Sequence, residues 1–410
     1  MKSLLDPENN PGLFSGPLRT HVATYTASLV AQGYKRPTLY PDTLLFAALD
    51  EWIRRRGIRA EDLAERNLDR FLICHMRKRS SRRRPMRAAL MRLLAMLRRM
   101  QIAAPPPAIP LTPSGYWVQQ FAHYLKNERG FVATTIAGYC LPARRLLDRL
   151  YGEGPVELGA LRPPAVLNFV RDHVDRHGRL SASELANALR SFFRFLRYRG
   201  EITVDLAAAV PSVAGWTLAS LPKHLPRGVV QQVLAGHDRR SPLGRRDYAI
   251  LLLLARLGLR SCEVAGLRLE DVDWENGRID IRSRKGGRTS ALPLPSDVGR
   301  AIAEYLQTGR PNCACREIFI SNKAPLVGIS RISVGHAARR AMLRAGITGV
   351  SLGSHTFRHT LASDLLRDGA SLEEIGRILR HKDVSTTAIY AKVDMDGLRP
   401  LAMRWPGGGA

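Results

Sequence analysis

The sequence predicts a mainly α-helical protein, in which helical bundles are followed by a mostly α domain with a small antiparallel β-sheet. Apolar residues recur at intervals of three and four through residues 1–205, a spacing that is typical of amphipathic helices. Two stretches with period-two alternation, 277–282 and 289–294, flank the turn signal Gly286-Gly287, and this order indicates a β-hairpin. Helical spacing returns after Ser330.

The charge of the chain indicates a polyanionic partner. The 410 residues include 63 Lys and Arg against 36 Asp and Glu, a formal net charge of +27. Such an excess is typical of proteins that bind nucleic acid or an anionic membrane surface. The longest apolar run, 248–255, is far shorter than the ~20 residues that span a bilayer, and the N-terminus has no apolar signal core. We therefore expect a soluble intracellular protein that does not enter a membrane.

Proline-rich stretches at 103–110 and 210–226 are interpreted as linkers between domains. The predicted domains are residues 1–102, 113–205 and 226–398, followed by a flexible tail at 399–410. The first two resemble copies of one another, since Gly33-x4-Thr38-Leu39 aligns with Gly130-x4-Thr135-Ile136 and apolar positions coincide farther on. Each is predicted to be a bundle of about four short helices, although unrelated helical bundles can also align this well by chance.

A basic run lies between the third and fourth predicted helices of the first bundle. A run of charge is usually a solvated loop, but in so basic a chain we favour contact with DNA phosphates. The following helix adds Arg87, Arg92, Arg98 and Arg99. The residues of the run predicted to bind DNA are Arg77, Lys78, Arg79, Arg82, Arg83 and Arg84.

The five cysteines are too few and too scattered for a disulfide framework. Cys313 and Cys315 form the one close pair, and the residues around them include no histidine that could complete a metal site. We expect reduced thiols in a loop, with no bound metal and no cofactor.

Four short motifs occur in an order that suggests a shared function. Each motif alone is a weak signal, because a helix end, a hairpin tip, a His/Arg pair and a helical tyrosine are all common. A glycine ends the buried helix at 247–257, and Ser261 is predicted to cap the helix that follows Arg260. The motifs are G-L-R-S-C-E at 258–263, R-K-G-G-R at 284–288, H-T-F-R-H-T at 355–360 and L-R-H-K-D-V-S-T-T-A-I-Y at 379–390.

The side chains of these motifs suit phosphoryl transfer. Two guanidinium groups can bind the two non-bridging oxygens of one phosphodiester and neutralise the charge of a pentacovalent transition state. A tyrosine hydroxyl can attack phosphorus and form a covalent phosphotyrosine that allows rejoining without ATP. A histidine can accept the phenol proton, and a lysine can protonate the departing 5′ oxygen. No cluster of carboxylates of the metal-binding type accompanies them, so the arginines would replace Mg²⁺.

Residues 226–392 carry these motifs and resemble the catalytic domain of the tyrosine recombinase (phage integrase) family. The resemblance implies an integrase-like catalytic core in which Arg260 and Arg358 bind the phosphate and Tyr390 is the nucleophile. It also implies that His355 is the general base, Lys285 the general acid and His381 a second, hydrogen-bonding histidine. One departure is Arg380, where the family usually has glycine.

The remaining segments are assigned by the same resemblance. Residues 113–205 are similar to the family's helical core-binding domain, of the SAM-like type. Residues 1–102 are interpreted as an additional DNA-binding domain, as in recombinases of mobile elements. The resemblance therefore implies a site-specific recombinase or integrase of a mobile element, which cuts and rejoins DNA through a 3′-phosphotyrosine.

Two other functions stay open at this stage: a type IB topoisomerase, which shares this catalytic domain, and a non-catalytic DNA-binding regulator on the same scaffold. The six filled catalytic positions argue against the regulator, and the core-binding-like bundle favours the recombinase. The expected partner is double-stranded DNA with short inverted repeats. A homotetramer would act on two synapsed sites, alone or with related recombinases. We expect a bacterial cytoplasmic protein associated with the nucleoid.

Overall fold

The computed structural model describes residues 14–75, 83–106, 111–212, 224–282, 289–381, 383 and 385–390, without the side chains of 83, 177–181 and 385. These residues form two compact units. One unit joins Met1–Pro106 with Leu221–Ala410, and the other is Pro107–Ser220. None of the described helices is both long enough and apolar enough to cross a membrane.

The N-terminal part of the first unit is a bundle of four helices around its own apolar core, to which Leu49, Phe71 and Leu93 contribute. Gly33, with φ of +90°, makes the turn between the first two helices. The helices are α1 (Arg19–Ala31), α2 (Arg36–Arg55), α3 (Glu65–His75) and α4 (Arg83–Arg99).

The second unit also buries one core, but its helices differ from the expected short ones. Its third helix is a single 36-residue helix, whereas the bundle was predicted to consist of about four short helices. Gly178 is the only helix-breaking residue after its first turn, and one internal glycine costs about 1 kcal/mol, which packing can offset. The helices are α5 (Pro113–Asn127), α6 (Ala133–Tyr151), α7 (Pro163–Tyr198) and α8 (Leu206–Ala209).

The last part of the first unit is mostly helical and carries the predicted sheet. Three strands pair in the antiparallel order β1-β2-β3, and Ile279 of β2 lies opposite Leu292 of β3. This arrangement confirms the predicted fold class. The strands are β1 (Val272–Asp273), β2 (Arg278–Arg282) and β3 (Thr289–Pro293). The helices are α9 (Val229–Ala235), α10 (Pro242–Arg256), α11 (Ser261–Gly266), α12 (Ser296–Thr308), α13 (Arg331–Arg344), α14 (Ser354–Arg367), α15 (Leu372–Leu379) and α16 (Ser385–Ala388).

Helix α10 is the centre of this part, because the run Ala249–Leu254 is entirely buried. Ser241 caps its N-terminus by accepting the N–H of Gly244 at 3.0 Å. Helices α12, α13 and α14 pack around it. A rigid, apolar helix thus supports the loop 257–260, in which the first motif of the candidate site begins.

Candidate active site

Arg260 stands at the N-cap of α11, immediately after the buried helix α10 and the turn at Gly258. The prediction that Ser261 caps α11 is wrong. Ser261 is the first residue of the helix, and its hydroxyl pairs with that of Ser354 at 2.5 Å. The longer side chain of Glu263 reaches back instead and accepts the N–H of Arg260 at 2.7 Å.

The same carboxylate binds the Arg260 side chain, with 2.9 Å between Nη1 and Oε1. Burial alone would raise the pKa of Glu263, but the charge of Arg380 and hydrogen bonds from Arg260 outweigh it and lower that pKa. Glu263 therefore stays ionised and holds the guanidinium of Arg260 in one orientation. The Arg260 side chain itself is partly exposed.

Arg358, on α14, contacts both of the other described motifs, at Gly258 and at Leu379. Its side chain is buried, at 4 % exposure, and its guanidinium donates to the carbonyl oxygens of Gly258 and Leu379. Burial and the positive charges of Arg260 and Arg380 lower its pKa to about 10, so it remains cationic at neutral pH. The motifs at 258–263, 355–360 and 379–390 consequently meet around this one side chain.

Two histidines share the same face of α14, four residues apart, with 6.5 Å between their ring centres. His355 is exposed, whereas His359 is partly buried. Desolvation lowers the pKa of both, with a further contribution from Arg358. Both imidazoles are therefore neutral at pH 7 and can accept a proton.

His381 follows α15 and is held from two sides. Its backbone N–H donates to the carbonyl of Gly376 at 2.9 Å, and its Nδ1 lies 2.7 Å from the hydroxyl of Thr387. Burial, followed by the charges of Arg358 and Arg260, lowers its pKa to about 4. His381 is a neutral hydrogen-bonding group in this environment.

Tyr390 lies within this cluster and is only 2 % exposed. Its ring is nearly parallel to that of His381, at an interplanar angle of 6° and a centroid distance of 6.4 Å. Its hydroxyl oxygen lies 2.9 Å from Nδ1 of His359. Burial raises the pKa of the phenol, and the charges of Arg358 and Arg260 oppose that rise. The Tyr390 side chain is therefore enclosed by the protein in this structure.

The structure thus brings together five of the six predicted catalytic residues, namely Arg260, His355, Arg358, His381 and Tyr390. Lys285 lies outside the described residues. Sequence reasoning missed Glu263 and His359, although their spacing of three from Arg260 and four from His355 along helices was visible.

The predicted DNA-binding run is largely outside the described residues, since Arg77, Lys78, Arg79 and Arg82 all fall there. Arg83 begins α4, and Arg84 is exposed in its first turn. Three arginines that follow are paired with carboxylates of the same bundle. The pairs are Arg87–Asp69 at 2.7 Å, Arg92–Asp42 at 3.2 Å and Arg98–Glu65 at 2.7 Å.

The cysteines are all free thiols. Cys315 donates its S–H to the carbonyl of Leu326 at 3.2 Å, which is a loop contact. Within the described ranges, no group of three or more His, Cys, Asp or Glu side chains could hold a metal ion.

Comparison with known proteins places this site in a known family. The phage integrase family profile matches residues 223–396, the segment that carries every residue of the cluster. The integrase/recombinase y4rA of Sinorhizobium fredii is 42% identical over 398 residues, which make up 96% of this chain and 95% of that protein. Tyrosine recombinase XerD of Lacticaseibacillus casei is 30% identical over 285 residues, 67% of this chain and 92% of the relative.

A solved structure shares the fold. A lambda integrase tetramer bound to a Holliday junction superposes with a TM-score of 0.54 at 17% identity, over 77% of this chain and 88% of that chain. The 42% identity with y4rA runs along nearly the whole of both proteins. The likeness therefore extends beyond the segment 223–396. The chain belongs to the phage integrase family of tyrosine recombinases.

Proposed function

We propose that this site-specific recombinase cuts and rejoins DNA with Tyr390 as nucleophile and with Arg260 and Arg358 as ligands of the scissile phosphate. The observation that carries the proposal is the convergence of three separate motifs on Arg358, within one cluster that includes Tyr390. The phenol oxygen attacks phosphorus, a 3′-phosphotyrosine bond forms, and the bond to the 5′ oxygen breaks. The rejoining strand reverses these steps with its own 5′ hydroxyl.

The charges of the site suit this chemistry. Arg260 and Arg358 place two guanidinium groups where the non-bridging oxygens gain negative charge. His355, exposed and neutral, is the proposed base that takes the phenol proton once Tyr390 has moved outward. His381, held by Thr387, is the proposed hydrogen-bond donor to a phosphate oxygen through its Nε2. Lys285 is the proposed acid that protonates the 5′ oxygen.

For the remainder of the chain we propose two further DNA-binding domains, at residues 113–205 and 1–102, before the catalytic domain at 226–398. The two bundles share two local features, which support duplication. Gly33 and Gly130 have positive φ before the second helix, and a backbone hydrogen bond follows the last long helix in each, from Ile102 to Leu97 and from Glu201 to Leu196. Arg84 and the rest of the basic run would contact phosphates.

The proposed partner is double-stranded DNA with short inverted repeats, bound by a homotetramer that holds two sites together. The tetrameric state of the lambda integrase neighbour and the net charge of +27 support this. We further propose that the protein acts for a mobile element. It would work in the bacterial cytoplasm, in association with the nucleoid. Sequencing the DNA beside the gene for inverted repeats tests the choice of substrate.

A suicide substrate tests the nucleophile. A half-site nicked so that the 5′ fragment diffuses away should trap the wild-type protein covalently on a 3′ phosphate, at the peptide that contains Tyr390. Tyr390→Phe should bind the half-site with unchanged affinity and form no covalent complex. Tyr305→Phe is the matched control, because Tyr305 is also buried and its hydroxyl accepts the N–H of Ile320 at 3.2 Å. Trapping by Tyr390→Phe would disprove the proposal.

A further inference from the structure

Arg380 occupies a position that is unusual for an arginine. It ends α15 with φ of 55° and ψ of 48°, in the left-handed region, which glycine adopts without steric cost and other residues adopt with strain. An arginine in strained backbone immediately before His381 points to a function for its side chain.

The side chain of Arg380 is turned into the protein. It is 10% exposed, as is the side chain of Glu263. Its Nη2 donates to Oε2 of Glu263 at 3.0 Å, and its Nη1 donates to the carbonyl of Ile378 at 3.0 Å. Its Nε is buried and has no hydrogen-bond partner among the described residues. Burying this guanidinium is therefore costly, and the contact with Glu263 compensates only part of that cost.

Glu263 is shared by two arginines. Its Oε1 binds Arg260 at 2.9 Å, and its Oε2 binds Arg380 at 3.0 Å. Without Arg380, the single carboxylate would neutralise Arg260, a group that is needed to attract the phosphate. With Arg380 present, the carboxylate charge is divided between two guanidinium groups.

The net charge of the described site depends on Arg380. Arg260, Arg358 and Arg380 carry three positive charges and Glu263 one negative charge, which leaves a net charge of +2. Removing Arg380 would leave a net charge of +1. A phosphodiester has one negative charge, and it gains a second when the phenolate oxygen adds to phosphorus. A site with two net positive charges matches the transition state better than it matches the bound substrate.

We propose that Arg380 is a positioning residue that fixes Glu263 and keeps the charge of Arg260 available, and so supplies the second net positive charge for the transition state of strand cleavage. This inference rests on the proposed roles of Arg260, Arg358 and Tyr390. The pKa of Arg358 is lowered in part by the charge of Arg380, so the field of Arg380 reaches the phosphate-binding side chain.

The test uses the full-length protein and the nicked half-site, with the single-turnover cleavage rate and the half-site Kd measured separately. Arg380→Gln should slow cleavage about tenfold or more at saturating protein while the Kd changes less than about threefold. Arg380→Gly relieves the backbone strain but removes the same charge, so it should fold at least as stably and cleave as slowly. Arg380→Lys should restore part of the rate.

Two further variants complete the test. Arg377→Gln is the matched control, because Arg377 lies on the same helix, is exposed and pairs only with Glu373 among the described contacts; it should cleave at the wild-type rate. The double variant Glu263→Gln with Arg380→Gln returns the net charge to +2, and glutamine can still accept the N–H of Arg260. It should cleave faster than Arg380→Gln alone.

Three results would overturn the inference while wild-type protein still forms the Tyr390 adduct. These are wild-type cleavage by Arg380→Gly, a loss confined to the Kd, and no gain in the double variant. Absence of any adduct with wild-type protein would instead refute the proposed function itself.

Discussion

The Nδ1 atom of His359 lies 2.9 Å from the hydroxyl of Tyr390, whose side chain is 2% exposed. Desolvation and the charge of His355 lower the pKa of His359, so its ring is neutral at pH 7. With its proton on Nε2, the ring accepts a hydrogen bond from the phenol through Nδ1. This contact holds the hydroxyl of Tyr390, the proposed nucleophile, inside the protein.

The first prediction separates the two histidines of α14. His359→Leu leaves the buried phenol without its partner, so the free energy of unfolding should fall by about 1–2 kcal/mol. Because His355 is the proposed base, His359→Leu should slow cleavage less than tenfold, whereas His355→Leu should slow it by ~10²-fold or more. Urea denaturation and single-turnover cleavage measure the two effects. Equal losses of rate would assign the proton transfer to His359.

The second prediction concerns the pH dependence of stability. Burial lowers the pKa of His381 to about 4, and the pKa values of His355 and His359 are lowered as well. A histidine in the unfolded chain titrates near pH 6.5. Below that pH the unfolded chain binds protons, whereas the histidines of the folded site stay neutral because their pKa values are lower. Stability should therefore be fully present above about pH 6.5 and decrease as the pH falls toward 4.

Urea denaturation between about pH 7.5 and 5 measures this slope. His381→Asn removes one of the three groups and should give a shallower decrease. A decrease that is unchanged in His381→Asn would contradict the prediction.

The third prediction follows from the turn that supplies Arg358 with an acceptor. Gly258 has φ of +56°, and a Cβ there would lie 2.8 Å from Cδ2 of Leu379 and 3.0 Å from Cδ2 of Leu361. Gly258→Ala should lower the free energy of unfolding by about 1–3 kcal/mol. It should also slow cleavage about tenfold, because the carbonyl that orients Arg358 is displaced.

Gly277→Ala is the control for backbone strain alone. Gly277 has φ of +59°, and a Cβ there would meet nothing within 4 Å. This variant should lose stability and keep the cleavage rate per folded molecule. If both variants cleave alike, the carbonyl of Gly258 does not position Arg358.

Residue spacing predicted a mainly helical fold with a small antiparallel sheet, and the resemblance to tyrosine recombinases identified the four motifs as parts of one site. Period-two alternation at 278–282 and the Gly-Gly signal identified the hairpin, because a sheet edge has a local pattern. The length of α7 and the sharing of the Glu263 carboxylate by two arginines were not predictable in this way. The first depends on packing along the bundle, and the second on the meeting of residues 263 and 380, which are 117 positions apart.

The fourth prediction concerns metal ions. Because Arg260 and Arg358 are the proposed source of positive charge around the phosphate, strand cleavage should run at the same rate in excess EDTA as in Mg²⁺. Binding should weaken steeply with salt, because many phosphate contacts form at once. The cleavage rate of the nicked half-site measures the metal dependence. The half-site Kd at increasing salt concentration measures the salt dependence. A strict Mg²⁺ requirement for cleavage would refute the arginine mechanism.

The last prediction concerns Lys285, whose assignment depends on the sequence motif R-K-G-G-R. If Lys285 protonates the departing 5′ oxygen, Lys285→Ala should slow cleavage by ~10²-fold or more and leave the half-site Kd nearly unchanged. In a 5′-thio substrate the leaving group is a thiolate, which needs no proton. This substrate should therefore restore most of the cleavage rate of Lys285→Ala. The same substrate should not rescue Arg260→Ala, because that variant lacks a phosphate ligand rather than a proton donor. A lack of rescue in Lys285→Ala would show that the lysine acts elsewhere in the reaction.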